Sequence, residues 1–149
     1  MNSTHTATLS SILILALTLP LWAGKHEHKT PHGGTPVVLG DEAYHLELVL
    51  DSDKGKMQIY VLDGELEKFI RTKNPLIVVN AEVKGKKETL ELHPVANSAT
   101  GETLEDTSCF EGTSRWLTSV KEFDAVVKQV VVGDQAFRDV KFNFPKGNE

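Results

Sequence analysis

Tyr44-His45-Leu46-Glu47-Leu48-Val49-Leu50 is the stretch on which the reading of the fold turns. Tyr44, Leu46, Leu48 and Leu50 fall on one face while His45, Glu47 and Val49 fall on the other, the period-two pattern of a half-buried β-strand. A polar run, Asp51-Ser52-Asp53-Lys54-Gly55, follows. Alternation then resumes with Met57, Ile59 and Val61 against Gln58, Tyr60 and Leu62, so the two runs predict a hairpin. Downstream, residues 76–83 are rich in β-branched side chains, Lys84-Gly85-Lys86-Lys87 turns the chain, and residues 88–95 place Leu90 and Leu92 inward with Glu91 and His93 outward. A third hairpin is predicted from the Val-rich residues 125–132, the turn Gly133-Asp134-Gln135 and the inward set Val140, Phe142 and Phe144.

Between these hairpins the signals are shorter. Residues 35–40 read as an edge strand, because Pro36 lacks the donor that a central strand needs. Residues 107–111 read as a short buried strand. Residues 114–123 are the one helical expectation, with Trp116, Leu117 and Val120 at helical spacing and Ser114 as the cap. Seven to eight short strands without a βαβ rhythm predict an all-β fold. The expected architecture is an antiparallel, immunoglobulin-like β-sandwich with one short helix, and a barrel is the alternative.

At 149 residues the chain has the length of one domain. Asp and Glu outnumber Lys and Arg by 21 to 16, which gives no basic footprint for a phosphate backbone and argues against a nucleic-acid partner. The single cysteine, Cys109, has no partner for an internal disulfide and reads as a small buried hydrophobe. Residues 9–21 form an apolar run, followed by Trp22-Ala23-Gly24, that is shorter than the roughly 18 residues that cross a bilayer, and Pro20 with the small residues after it fits a cleavage region. Residues 1–23 are therefore expected to be a signal peptide, although no Lys or Arg precedes the run. The mature chain should be periplasmic or secreted, without a membrane span. It divides into a flexible His-rich tail over residues 24–34 and a single β domain over residues 35–149.

That tail, His26-Glu27-His28-Lys29-Thr30-Pro31-His32-Gly33-Gly34, concentrates imidazoles at the boundary of the domain. Neutral imidazole is the commonest protein ligand for borderline metals, so His26, His28 and His32 are candidate ligands for Cu(II), Zn(II) or Ni(II). Cleavage after Ala23 would expose Gly24-Lys25-His26, in which the amine, two backbone nitrogens and the imidazole suit square-planar Cu(II) or Ni(II). His45 and Glu47 share a strand face, and the tail folding back would add His32 to them as a zinc or copper site. The plainer alternative is a solvated tail and the solvent face of a strand. His93 reads as a surface residue. No phosphate loop, zinc-spaced cysteine pair or nucleophile elbow is present, and the expectation is a protein that is not an enzyme.

His32-Gly33-Gly34, then Tyr44-His45-Leu46-Glu47-Leu48 and a hairpin ending Tyr60-Val61-Leu62-Asp63-Gly64, resembles a segment near the N-terminus of periplasmic adaptor proteins of heavy-metal efflux pumps. The resemblance implies an extracytoplasmic β module associated with metal handling, and it carries over only to His32, Gly33, Gly34 and Glu47. The long helical hairpin and the further domains of an adaptor have no counterpart, so the chain is not an adaptor itself. The expected function is a metal buffer or delivery module, with a metal ion and an envelope protein as partners. The rival is a structural or protein-interaction β domain of the cell envelope with no metal role. A carbohydrate-binding sandwich would have to rely on Tyr60 and Trp116.

Overall fold

A computed structural model describes residues 29–148. Eight strands follow in the order β1 (Thr35–Leu39), β2 (Tyr44–Asp51), β3 (Lys56–Asp63), β4 (Ile77–Val83), β5 (Lys86–Pro94), β6 (Cys109–Thr113), β7 (Phe123–Val132) and β8 (Gln135–Phe144). All pair antiparallel in one sheet of spatial order β1-β2-β3-β6-β5-β4-β7-β8. The fold is all-β, and the predicted hairpins β2–β3, β4–β5 and β7–β8 are present. The β4–β5 turn places Lys84 and Gly85 at φ 51° and 76°, the paired left-handed conformations that match the twist of a two-residue hairpin.

The single antiparallel sheet is nearly closed, so the expected all-β fold takes a barrel-like shape, which fits the stated alternative. The reason lies in two thin seams. β5 and β6 pair only through His93↔Glu111 and Pro94↔Phe110, which joins a β1-β2-β3-β6 half to a β5-β4-β7-β8 half. On the opposite side Asn148 closes β1 toward the C-terminal end of the chain. Its Oδ1 accepts from the Val38 N–H at 2.7 Å and its Nδ2 donates to the Val38 carbonyl at 3.1 Å, as a neighbouring strand would. Hairpin periodicity registers neither seam, since both join residues far apart in the chain.

The inward faces meet in one core. Leu46, Leu48, Met57, Ile59 and Val61 pack with Val79, Leu92, Phe110, Val127 and Phe142, as alternation along each strand requires. The predicted helix over residues 114–123 is reduced to a single 3₁₀ turn, Arg115–Thr118. Ser114 makes no side-chain cap, Leu117 is the residue buried by the turn, and Phe123 already belongs to β7, where it stacks on Phe144. Among the described residues no helix is long and apolar enough to cross a membrane. The expected signal peptide, residues 1–23, lies outside the described residues.

Candidate functional site

Glu47 sits in the middle of β2 on the face turned away from the core, opposite Pro36 of β1 and Tyr60 of β3. Its side chain is nonetheless 0% exposed. An ionised carboxylate in such a place requires donors, and the chain supplies them from the residues preceding β1. Oε1 accepts the backbone N–H of His32 at 2.7 Å and of Gly34 at 2.9 Å, and Oε2 lies 2.8 Å from His32 Nδ1. The last residues of the His-rich segment are thus held on the sheet. Within the turn the Gly33 N–H donates to Thr30 O and Thr30 Oγ1 donates to Gly34 O.

Gly34 explains why the motif needs a glycine at its end. A Cβ there would lie 2.5 Å from the Leu48 carbonyl oxygen and 2.8 Å from Glu47 Cγ, so any other residue would lift the turn off the carboxylate. Gly33 serves a different purpose. It has open space around it but a φ of 68°, which bends the chain between two residues that both bond Glu47.

The pairing fixes the chemistry of His32. In the 2.8 Å contact Nδ1 donates to the Glu47 carboxylate, which leaves Nε2 as the ring nitrogen not engaged by Glu47. The ring stacks on Tyr60 at 4.1 Å between centroids and 20° between planes, and Phe69 closes on it at 5.7 Å. The orientation of the ring is therefore set from two sides, as for histidines that ligate metals through a carboxylate-supported ring.

His32 forms one wall of a cleft of about 480 Å³, shared with Tyr60, Phe69, Arg71, Glu102 and Cys109. One side is residues 64–70, folded back on β3 through Asp63 N–H to Lys68 O and Ile70 N–H to Val61 O. Desolvation opposes ionisation of Asp63, but the Lys68 and Glu67 backbone N–H groups outweigh it and hold the carboxyl below its ordinary range. The other side is the loop between β5 and β6. Partial burial likewise works against the charge of Glu102, but bonds from Ser108 and Thr100 keep its carboxyl low. Arg71 spans the two sides by donating to the carbonyls of Thr100 and Gly101.

At the floor, Tyr60 and Cys109 are register partners across β3 and β6. Burial pushes the Cys109 thiol up to about 11, against the pull of a hydrogen bond from Tyr60. Burial also raises Tyr60 to about 12, with the facing Cys109 adding to it. Cys109 is half-buried in the cleft wall and is not part of the core, a place that the expectation of a small buried hydrophobe did not include. A larger hollow of about 640 Å³ over β4, β5, β7 and β8 is lined by neither histidine nor cysteine.

The remaining sequence candidates separate. His45 is buried and its Nδ1 donates to the Asp63 carbonyl at 3.3 Å, so it supports the bend after β3 and does not join His32. Glu47 faces His32, but its oxygens are taken by N–H groups. Among the described residues no three His, Cys, Asp or Glu side chains are grouped so as to hold a metal ion. His26 and His28 lie outside the described residues. His93 is exposed on β5. Tyr60, Phe69 and Arg71 were not singled out as partners of His32 by sequence reasoning. The available signal was Leu62, which breaks the polar parity of the outer face and so announces a covering loop. No protein-family model, curated protein or solved structure matches the chain.

Proposed function

We propose that this is an exported protein that binds a divalent transition metal, Cu(II), Zn(II) or Ni(II), as a buffer or delivery module. His32 Nε2 is the oriented ligand, and His26 and His28 complete the site from the segment just upstream. The observation that carries this reading is the buried Glu47, whose oxygens are used to hold one turn and one imidazole. A carboxylate so placed is a positioning group, not a ligand: it orients the ring it supports and engages one of its two nitrogens. The Cu, Zn and Ni preference follows from a ligand set dominated by imidazole. The apolar leader supports export to the periplasm or beyond, and the resemblance of residues 32–64 to a segment of metal-efflux adaptors agrees in kind.

Calorimetric titration with Zn(II) and Cu(II) tests the proposal on three chains: unaltered, His32→Ala, and His26→Ala/His28→Ala. Loss of His32 is expected to weaken zinc binding by at least about tenfold, the effect of removing a supported imidazole ligand. Equal affinity in the His32→Ala chain would overturn it, and retention of Cu(II) alone would point to the amine-terminated Gly24-Lys25-His26 arrangement. The second reading, a protein-interaction module of the envelope, is favoured by Phe69, which stays 46% exposed at the same cleft. Absence of metal binding in the unaltered chain would select it.

A further inference from the structure

Phe69 is a large apolar side chain left 46% exposed on a fixed stretch of backbone. Its segment is bonded back onto β3 through Asp63 N–H to Lys68 O and Ile70 N–H to Val61 O, and its ring meets Tyr60 edge-on at 5.9 Å and His32 at 5.7 Å. Held from behind in this way, it forms an apolar platform in a cleft of about 480 Å³, within the roughly 300 to 1,000 Å³ of small-ligand sites. We infer that this cleft binds a neutral glycan, with one sugar ring lying on Phe69 and its hydroxyls bonding the polar side chains around it. The inference needs no metal ion and does not depend on the metal reading above.

Charge in the lining cancels. Arg71 is its cation and Glu102 its anion; Arg71 also lies 3.6 Å from Asp106, and Glu111, bonded to the lining Gln58, is paired with Lys56 at 3.1 Å. A charged ligand therefore finds no unopposed counter-charge. Neutral hydroxyls do find partners. Gln58 is pinned through Nε2, which donates to Glu111 at 3.2 Å, and Asn97 through Oδ1, which accepts the Ala99 N–H at 3.1 Å. That leaves Gln58 Oε1 as an acceptor and Asn97 Nδ2 as a donor without a partner among the described residues. Glu102 takes bonds from Ser108 N, Ser108 Oγ and Thr100 Oγ1 and still has acceptor capacity, since a carboxylate offers about four sites. A protein partner that set an apolar side chain on Phe69 would strip water from these amides and this carboxylate without replacing it, which costs affinity. A sugar instead offers C–H groups to the negative face of the ring and, at its edge, hydroxyls that both donate and accept.

Nitrogen-15 HSQC titration of the full chain tests this, with cellotetraose and tetra-N-acetylchitotetraose as neutral probes. Cationic chitotetraose, anionic tetragalacturonate and a capped trileucine peptide are the comparisons. Phe69→Ala, Phe69→Tyr and Asn97→Asp are titrated alongside, and the dispersion of the same spectra shows that each is folded. Asn97→Asp keeps the acceptor of the Ala99 bond and removes the donor. The expected result is that a neutral glycan at millimolar concentration shifts the amides of Phe69, Arg71 and Asn97. Affinity should fall at least about tenfold in Phe69→Ala, stay unchanged in Phe69→Tyr and fall about fivefold in Asn97→Asp. No shift at the cleft from either neutral glycan, equal affinity in a folded Phe69→Ala, or tighter binding of a charged oligosaccharide would overturn the inference. A response to trileucine and to no glycan would assign the ring to a protein partner and overturn it as well. Neither readout involves zinc, so failure here leaves the metal reading standing, and failure of the metal reading leaves this inference standing.

Discussion

Replacing Glu47 separates the support of His32 from the support of the fold. The carboxylate accepts from His32 N, Gly34 N and His32 Nδ1 at 2.7, 2.9 and 2.8 Å with no exposure to water. Each bond to a charged acceptor contributes about 1.5 to 3 kcal/mol, and burying the carboxylate opposes their sum by several kcal/mol. In Glu47→Ala the freed N–H groups regain water if the turn swings away, so the net loss is about 2 to 3 kcal/mol. Glu47→Gln behaves differently. Its amide oxygen still accepts both backbone N–H groups, so stability falls by only about 1 kcal/mol. Its amide N–H₂ now faces Nδ1, which must become an acceptor, and the His32 proton moves to Nε2. Urea denaturation reads the first effect and zinc calorimetry the second. Glu47→Gln should lose about 10- to 100-fold in zinc affinity while remaining folded, the range for altered outer-shell partners of ligating histidines. A Glu47→Ala protein as stable as the unaltered chain would refute the claim that this carboxylate holds the turn. A Glu47→Gln protein with full zinc affinity would refute the claim that it sets the imidazole.

The neighbouring glycines should differ in kind. Gly34→Ala forces a Cβ to 2.5 Å from the Leu48 carbonyl and should cost about 3 kcal/mol in urea denaturation, whereas Gly33→Ala meets only its positive φ and should cost about 1 kcal/mol. Asn148→Ala should cost about 1 to 2 kcal/mol and speed hydrogen exchange at the Val38 amide, because its two bonds close the seam at β1. Unchanged exchange at Val38 would argue against closure there. Cys109, raised from 9.0 to about 11, should react about a hundredfold more slowly with alkylating reagents near neutral pH than a free cysteine does. Since its folded value lies above the unfolded one, the associated stability is complete below pH 9 and is lost as pH rises toward 11, which alkaline denaturation of Cys109→Ser against the unaltered chain would show.

The hairpins were legible because β2, β3, β5 and β8 show alternation in the sequence, β4 and β7 are rich in β-branched residues, and turn residues separate each pair. Their closure was not, since it depends on Asn148 near the end of the chain and on the His93↔Glu111 pair, and neither leaves a periodic trace. The helix over residues 114–123 was overread: Trp116, Leu117 and Val120 have helical spacing, but Leu117 alone is buried by the turn and Trp116 packs edge-on against Phe123 of β7. At the site, the His32 and Glu47 pairing was within reach of the sequence, whereas the burial of Glu47 and His45 was not. Alternation describes a strand against one core, and here residues 30–34 and 64–70 cover the other face. Apolar Leu62 and Leu66, both buried but outside the main core, are the marks of that second layer.

The most direct measurement is a long-range nitrogen-15 NMR spectrum of the His32 imidazole, recorded before and after Zn(II) is added to the full chain. The account predicts a protonated Nδ1 and a lone pair on Nε2 in the free protein, and a zinc-dependent shift confined to Nε2. A ring protonated on Nε2, or one whose nitrogens do not respond to zinc, would contradict it.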